Sequence, residues 1–152
     1  MITGEILELR EKAFRDLCRR QGLKATHQRS VIFRELALTN EHPDVETLYM
    51  RVRRKIPSIS LDTVYRTLRL LEKKGVICRV AFVADRMRYD AETGRHHHFV
   101  CNACGRVMDF SSAPLDRVPP PPETSDLGRI ESMHIELRGL CAGCRRKNKN
   151  CA

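Results

Sequence analysis

Residues 60–90 read SLDTVYRTLRLLEKKGVICRVAFVADRMRYD, and this stretch decides the fold of the first half of the chain. Ser60 can cap a helix over residues 61–74, and Gly75 can end it. The apolar residues that recur every three or four positions, and that we expect to face inward, are Leu61, Val64, Leu68 and Leu71. Residues 76–83 and 86–90 then form two β-prone runs around Ala84 and Asp85, the pattern of a hairpin.

Further helices are predicted upstream of this stretch. The first covers residues 5–20. The second is capped by Thr26 and carries Val31, Ile32, Leu36 and Leu38, and the third follows Pro43 and ends before Pro57. Helices followed by a hairpin indicate a winged-helix domain. Such a domain places the second helix of its helix-turn-helix pair in the major groove of DNA.

The outer face of the helix over residues 61–74 is polar and cationic with one aromatic residue. It carries Asp62, Thr63, Tyr65, Arg66, Arg69 and Lys73. This face suits a major groove, and Thr63, Tyr65, Arg66 and Arg69 are our candidate DNA contacts. The alternative is an ordinary solvated helix face. A second basic cluster, Arg51, Arg53, Arg54 and Lys55, is explained at least as well by a solvated helix end that the helix dipole favours.

The distribution of charge supports a polyanionic partner. Residues 1–84 hold 17 basic and 10 acidic residues, whereas residues 85–152 hold 11 and 9. A basic domain attracts nucleic acid first and an acidic membrane surface second. Because the chain lacks a signal-peptide pattern and any run near the roughly 18 apolar residues of a spanning helix, we expect a cytoplasmic protein. The core is predicted to be aliphatic, since only 5% of residues are aromatic.

The second half of the chain changes character after Gly94. Alternating runs at residues 98–101, 106–110 and 129–137 indicate strands of a small β-rich domain. The prolines at 119–122 predict a stiff, extended loop. We therefore expect an α+β chain with a DNA-binding domain over residues 1–90 and a metal-binding domain over residues 91–152.

Four cysteines form two C-x2-C pairs, Cys101 with Cys104 and Cys141 with Cys144. Two such pairs can complete the tetrahedral S4 shell that Zn2+ prefers in structural sites. A redox-active C-x-x-C is the alternative, but the βαβ context of thioredoxins is missing. Cys18 and Cys78 are interpreted as core residues, and Cys151 has no assigned role.

Nitrogen and oxygen donors lie close to the cysteines in sequence. They are Asp90, His96, His97, His98 and Asp109, with His42 far upstream. On a strand, His96 and His98 point to one side and His97 to the other. A His/Asp shell suits Fe2+, Mn2+ or Zn2+. Unrelated histidines on a polar strand edge are the alternative for any one of these residues.

Taken in order, these motifs resemble those of the ferric uptake regulator family of bacterial metal-dependent repressors. The matching stretches are THQR at 26–29 (the family usually has TPQR), His42-Pro43, DTVYR at 62–66, RYD at 88–90, HHHFVCNAC at 96–104, GRVMDF at 105–110 and GLCAGC at 139–144. They cover nearly the whole chain.

The resemblance implies a homodimer with a winged-helix DNA-binding domain and a C-terminal α/β dimerisation domain with a small antiparallel sheet. It implies one structural zinc per subunit on the four cysteines. It also places a regulatory Fe2+ or Mn2+ ion on His42, Asp90, His96, His98 and Asp109. Metal binding would then close the dimer onto a palindromic double-stranded DNA operator, with no membrane or small-molecule substrate as partner.

Details of this chain favour the peroxide-sensing branch of the family and keep the iron-responsive branch as the alternative. Asp109 resembles the peroxide-sensing repressors, in which iron-dependent oxidation of a histidine, here His42 or His96, releases the ion. Arg66 is more typical of the iron-responsive regulators of iron uptake, which remain the alternative. An additional metal site of many iron regulators is degraded, because Arg95 and Met133 stand where histidines are expected. His97, Asp116 and His134 could still form a weak site.

Two other classes of function are alternatives. A zinc hydrolase could use the His/Asp shell, but no general base or nucleophile motif accompanies it, so the chain is predicted not to be an enzyme. A zinc-containing RNA-binding or scaffold protein would leave the His/Asp cluster incidental.

Overall fold

Four helices and a two-stranded hairpin form the N-terminal part of the computed structural model, which describes residues 2–83, 86–130 and 133–149. They are α1 (Gly4–Arg20), α2 (His27–Ala37), α3 (Val45–Arg53), α4 (Leu61–Lys73), β1 (Cys78–Val83) and β2 (Arg86–Asp90). The predicted helices and the antiparallel hairpin are confirmed. The turn of the hairpin, at positions 84 and 85, lies outside the described residues.

Each of these four helices begins at a side-chain cap. The capping oxygens belong to Thr3, Thr26, Asp44 and Ser60, and they accept hydrogen bonds from backbone N–H groups three residues ahead. Such caps typically contribute about 1 kcal/mol each, since they satisfy an N–H group that the helix leaves unpaired. The chain turns away after α1 and α4 at Gly22 and Gly75, both at a φ of +65°, where glycine is favoured.

The core of the N-terminal unit is largely aliphatic, as predicted, but an aromatic pair joins α1 to α2. The rings of Phe14 and Phe33 stack with centroids 4.3 Å apart, and both are buried. On α4, Val64, Leu68 and Leu71 are buried as predicted. The prediction that Leu61 is buried is wrong, since this residue is 43% exposed at the first position of the helix. Thr67 is the fourth buried residue of α4.

The C-terminal part contains a three-stranded sheet and two helices. Its elements are β3 (His97–Cys101), β4 (Val107–Phe110), α5 (Ala113–Asp116), a 3₁₀ turn (Pro122–Thr124), β5 (Glu136–Gly139) and α6 (Ala142–Lys149). The strand order is β4-β3-β5. The sheet is small, as expected, but it is not antiparallel throughout: β3 pairs antiparallel with β4 and parallel with β5.

Three features of this part differ from the sequence prediction. Of the strand predicted over residues 129–137, residues 129–130 and 133–135 are not part of β5, and residues 131 and 132 lie outside the described residues. Pairing with β3 begins at the Ile135 carbonyl, which accepts from the His98 N–H. The proline run is not extended throughout, since Pro122 starts a 3₁₀ turn, where its missing N–H costs nothing. Helix α6 was not predicted.

The chain divides into two units, one up to Thr93 and one from Gly94 on. Among the described residues, no helix is both long and apolar enough to cross a bilayer.

Candidate metal centres and nucleic-acid interface

The four cysteine sulfurs of the C-terminal unit lie together, all within 4.8 Å of one another. The Sγ atoms of Cys104 and Cys141 are 3.9 Å apart. In a tetrahedral zinc site with Zn–S bonds of about 2.3 Å, neighbouring sulfurs are about 3.8 Å apart. The donor set and its spacing therefore fit a structural zinc ion.

The parallel pairing of β3 with β5 brings the two cysteine pairs together. Cys101, the last residue of β3, lies opposite Gly139 of β5, and the Asn102 N–H donates to the Gly139 carbonyl at 2.8 Å. Both cysteine pairs therefore lie at the same end of the sheet. After Cys101 the chain turns back at Gly105, whose φ of +67° favours glycine.

Backbone donors prepare this cluster for metal. The Cys141 N–H, and after it the Cys104 N–H, lower the pKa of the Cys101 thiol to about 6. Cys101 Sγ is 3.3 Å from the Cys141 nitrogen. Hydrogen bonds between the Cys144 thiol and the sulfur atoms of Cys141 and, to a smaller extent, Cys104 raise the pKa of Cys144 to about 12. One sulfur is thus a thiolate near neutral pH, the form that binds metal.

In the N-terminal unit, His42 and Asp90 form a buried polar pair. Their side chains are 1% and 4% exposed, and His42 Nδ1 lies 3.7 Å from Asp90 Oδ2. Asp90 Oδ1 accepts a hydrogen bond from the Glu92 N–H at 2.8 Å, which fixes the carboxylate. A separation beyond hydrogen-bond length suits two ligands directed at one ion.

The residues that follow His42 hold it against the hairpin. His42 has a φ of +49°, the only positive φ of a non-glycine residue in the described part of the chain. Asp44 caps α3 with Oδ1, 2.8 Å from the Thr47 nitrogen, and its Oδ2 accepts from Arg86 at 3.0 Å. The D-x-x-T spacing signals the cap, but sequence reasoning missed Asp44 and could not find its partner on β2.

The second pair, His98 and Asp109, lies in the C-terminal unit. The two residues face each other across β3 and β4, with His98 Nε2 3.6 Å from Asp109 Oδ1. His96 lies just before β3, and its ring centroid is 4.5 Å from that of His98. Its Nδ1 lies 2.8 Å from the Gly94 carbonyl oxygen. Of the five residues assigned to a regulatory ion, His98 and Asp109 are candidate ligands in this unit and His42 and Asp90 in the other, whereas His96 is not among the grouped candidate ligands of the described residues.

His97 belongs to a different polar group, as its opposite orientation on the strand implies. Its Nδ1 accepts from the Ile135 N–H at 3.2 Å, and its Nε2 lies 3.2 Å from Asp116 Oδ1. The Arg95 guanidinium lies 3.5 Å from the same Asp116 oxygen. His134 lies near His98 instead, with ring centroids 6.2 Å apart. Among the described residues, His97, Asp116 and His134 do not form a group of metal ligands.

The candidate DNA contacts share the outward face of α4. Tyr65 is 45% exposed, and Arg66 and Arg69 are exposed beside it. Local contacts order these side chains: Arg66 pairs with Asp62 at 2.9 Å, and the Arg69 guanidinium lies over the Tyr65 ring, 5.8 Å from its centroid. Thr63 is half-buried and its hydroxyl is 2.8 Å from that of Ser60. A basic, aromatic surface of this kind can bind phosphates and base edges.

The other cysteines have different surroundings. Cys18 is fully buried in the core, as predicted, and burial raises the pKa of its thiol. The core prediction is wrong for Cys78, which is half-buried on the hairpin and whose thiol donates to the Glu92 carbonyl at 3.3 Å. Cys151 lies outside the described residues.

A winged helix with an exposed cationic face on α4, accompanied by four clustered thiols and two His/Asp pairs, is typical of a metal-dependent DNA-binding regulator. The model of the Ferric uptake regulator family matches residues 20–138. The chain therefore belongs to this family, whose members are transcriptional regulators and not enzymes.

Individual relatives come from both sides of the family. The "Peroxide-responsive repressor PerR" of Staphylococcus epidermidis is 29% identical over 127 residues, covering 84% of this chain and 85% of the relative. The "Ferric uptake regulation protein" of Rhizobium leguminosarum bv. viciae is 35% identical over 130 residues, covering 85% and 92%.

Two solved structures have the same fold. That of the Campylobacter jejuni peroxide stress regulator is 29% identical with a TM-score of 0.68, covering 85% of this chain and 97% of its own. That of the Helicobacter pylori ferric uptake regulator is 24% identical with a TM-score of 0.70, covering 95% and 97%. These likenesses confirm the α+β fold of a winged helix joined to a dimerisation domain.

The link between Asp44 and Arg86 predicts a pH-dependent contribution to stability. Burial opposes ionisation of Asp44, but hydrogen bonds from Thr47 and the charge of Arg86 outweigh it, so the pKa of Asp44 lies below its usual value of 3.8. A lowered pKa stabilises the folded state above pH 3.8, and the stabilisation disappears as the pH falls through the folded value. Asp44→Asn, which keeps the cap, should cost about 1 kcal/mol at pH 6 and less at pH 3.

Chemical denaturation of the wild-type chain and of the Asp44→Asn variant at both pH values measures this difference. A cost that is the same at pH 6 and pH 3 contradicts the assignment.

Proposed function

We propose that this chain is a homodimeric, metal-dependent repressor that releases its DNA operator when hydrogen peroxide is present. Its regulatory Fe2+ or Mn2+ ion would be bound by His42, Asp90, His96, His98 and Asp109. The observation that carries the proposal is the division of this donor set between two units, each with a His/Asp pair at 3.6–3.7 Å.

A divided donor set supplies a mechanism for regulation. An ion that binds ligands from both units favours the arrangement of the units in which all of them reach it. His42 and Asp90 are contributed by residues 1–90, the proposed DNA-binding domain, and the remaining ligands by residues 91–152, the proposed dimerisation domain. Metal binding would then set the two α4 helices of a dimer at the spacing of a palindromic operator.

Peroxide sensing is supported by Asp109 and by the names of several relatives. Peroxide-responsive repressors are among the relatives in sequence, and a peroxide stress regulator is among those in structure. Ferrous iron bound to these residues would supply the electron that reduces hydrogen peroxide. His42 and His96 are the ligands whose imidazoles we expect to be oxidised, which weakens their binding to the ion.

The second candidate is an iron-responsive repressor of iron-uptake genes. The Rhizobium ferric uptake regulation protein supports it equally, with 35% identity over 85% of this chain. Arg66 in the DTVYR motif is a residue-level argument in the same direction. Both candidates share the fold, the zinc site and the regulatory ligands, so only the response to oxidant separates them.

The test compares operator binding by Fe2+-loaded and Mn2+-loaded dimer before and after low-micromolar hydrogen peroxide. The duplex is one selected from random sequence by the Mn2+-loaded protein. We expect loss of binding with iron alone, together with the gain of one oxygen atom on the peptide containing His42 or His96. Asp109→Glu should keep metal-dependent binding but reduce the loss. Binding that survives peroxide with both metals and unmodified histidines indicates the iron-responsive candidate.

The recognition face of α4 makes a separate prediction. Arg66→Ala should weaken binding to the selected operator by roughly 10-fold or more, because a base contact typically contributes about 1–3 kcal/mol. Affinity for Mn2+ should not change, since Arg66 lies far along the chain from the proposed ligands. Anisotropy with labelled duplex measures the first quantity and metal titration the second. Arg34→Gln, on the α1–α2 surface, is the matched control; equal losses in both variants would indicate a general charge effect.

The remaining parts of the proposal concern zinc and location. One structural Zn2+ per subunit on the four cysteines would stabilise the dimerisation domain. A repressor of this kind acts where the chromosome is, which in a bacterium is the cytoplasm.

A further inference from the structure

The segment 42–44 lies along β2 and contacts it at every residue. The Arg88 guanidinium donates to the His42 carbonyl at 3.3 Å, and the Tyr89 N–H donates to the Pro43 carbonyl at 3.2 Å. Arg86 donates to Asp44 Oδ2 at 3.0 Å. A proposed metal ligand is thus joined to the hairpin by a short chain of directional contacts.

Asp44 is the last residue of this segment and is tightly held. Its side chain is 6% exposed, one oxygen caps α3 and the other accepts from Arg86. Arg86 is 55% exposed and also lies 3.9 Å from Glu46. Since both carboxylates belong to the first turn of α3 and its cap, Arg86 ties the hairpin to the start of that helix.

The same two residues face the recognition helix. Asp44 and Arg86 line a groove of about 790 Å3 between α3, the first half of α4 and the hairpin, and Tyr65 of α4 lines the same groove. A change in the position of Asp44 therefore alters the relation between the hairpin and the helix that we expect to enter the major groove.

We propose that Asp44 and Arg86 are positioning residues that transmit the occupancy of the His42/Asp90 pair to the wing formed by β1 and β2. This inference rests on the proposed regulatory site. When a metal ion fixes the His42 imidazole, the adjoining segment 42–44 is fixed with it, and the Asp44–Arg86 contact holds the hairpin at one angle to α4. Without the ion, His42 at its φ of +49° is in a conformation that non-glycine residues adopt rarely, and the segment has less to hold it.

The test uses full-length, zinc-replete protein and Mn2+ as the only added metal. For each variant, affinity for the selected duplex is measured with and without Mn2+, and the ratio is the enhancement by metal. Arg86→Gln and Asp44→Asn should each reduce this ratio by about five-fold, within the range of coupling changes seen for residues outside both sites. Affinity for Mn2+ should stay within about two-fold of wild type. The matched control is Arg34→Gln, which breaks an ion pair between α2 and α1.

A second readout does not depend on DNA. Amide hydrogen exchange of residues 79–83 and 86–88, the part of the wing that contains no proposed metal ligand, should slow on addition of Mn2+ in the wild type, but not in Arg86→Gln or Asp44→Asn. A merely structural role would accelerate exchange equally with and without the metal, and that result overturns the proposal.

The outcomes separate this inference from the proposed function. If His42→Ala abolishes the enhancement by metal and Arg86→Gln preserves it, the proposed coupling through Asp44 and Arg86 is contradicted and the proposed regulatory metal site is supported. If neither variant changes the enhancement, the regulatory site is wrong and the coupling fails with it. If Arg86→Gln weakens DNA binding equally with and without Mn2+ while Asp44→Asn does not, Arg86 is a DNA contact and not a positioning residue.

Discussion

Replacement of Cys104 by serine is expected to remove the zinc ion and unfold the C-terminal unit. Serine is a poor zinc ligand, and three thiolates cannot complete the closed shell. Structural zinc supplies on the order of 10 kcal/mol of apparent binding free energy, which exceeds the stability of most small domains. The sheet of this unit has only three strands, and its outer strand β5 is largely exposed, so little else holds it.

Metal analysis of the purified protein and its sedimentation behaviour test this expectation. Zinc should fall from about one ion per chain to a small fraction, and the dimer should be lost. Cys78→Ser is the matched control, because Cys78 is half-buried on the hairpin and is not one of the four clustered thiols, and serine can keep its hydrogen bond to the Glu92 carbonyl. A zinc-replete, thermally stable Cys104→Ser dimer would show that the four sulfurs do not form the site.

Replacement of His98 by alanine should abolish metal-dependent DNA binding while leaving the zinc in place. His98 is 5% exposed and lies 3.6 Å from Asp109, so its imidazole is the buried member of the pair. Loss of outer partners of metal ligands already costs roughly 10- to 100-fold in affinity. We therefore expect affinity for Mn2+ to fall by at least about 100-fold and operator binding to become independent of added metal.

His134→Ala is the control for this variant. The centroid of the His134 ring is 6.2 Å from that of His98. The substitution therefore removes a neighbouring imidazole that we do not assign to the ion. Metal titration, zinc analysis and DNA binding of both variants give the comparison. If His134→Ala reproduces the loss, or if His98→Ala binds Mn2+ like the wild type, the assignment of ligands is incorrect.

Most of the N-terminal fold could be predicted because its signals are local. Caps at Thr26 and Ser60, a glycine at 75 and apolar residues every three or four positions each act within one or two helical turns. Leu61 is the exception on α4. The periodicity assigned it to the core, but a residue at the first position of a helix has no preceding turn to pack against, and it lines an open groove instead.

The candidate metal ligands could be identified from residue type and spacing, but their neighbours could not. Arg95 is close to His97 in sequence, and only the docking of α5 places Asp116 between them. Asp44 and Arg86 are 42 residues apart and meet because segment 42–44 packs on β2. The start of β5 depended on which residue of β3 it pairs with, and sequence alternation does not encode that register.

The parallel strands β3 and β5 also bear on the order in which the chain folds. Cys101 and Cys141 are 40 residues apart, and the sheet that joins them needs both to be synthesised. The helices and hairpin of the N-terminal unit are contiguous in sequence and can form while translation continues, whereas a nascent chain that has passed only Cys104 offers two thiolates and binds zinc weakly. Zinc acquisition is thus a late step of biogenesis, and a cell short of zinc would accumulate chains with a folded DNA-binding half and no means to pair.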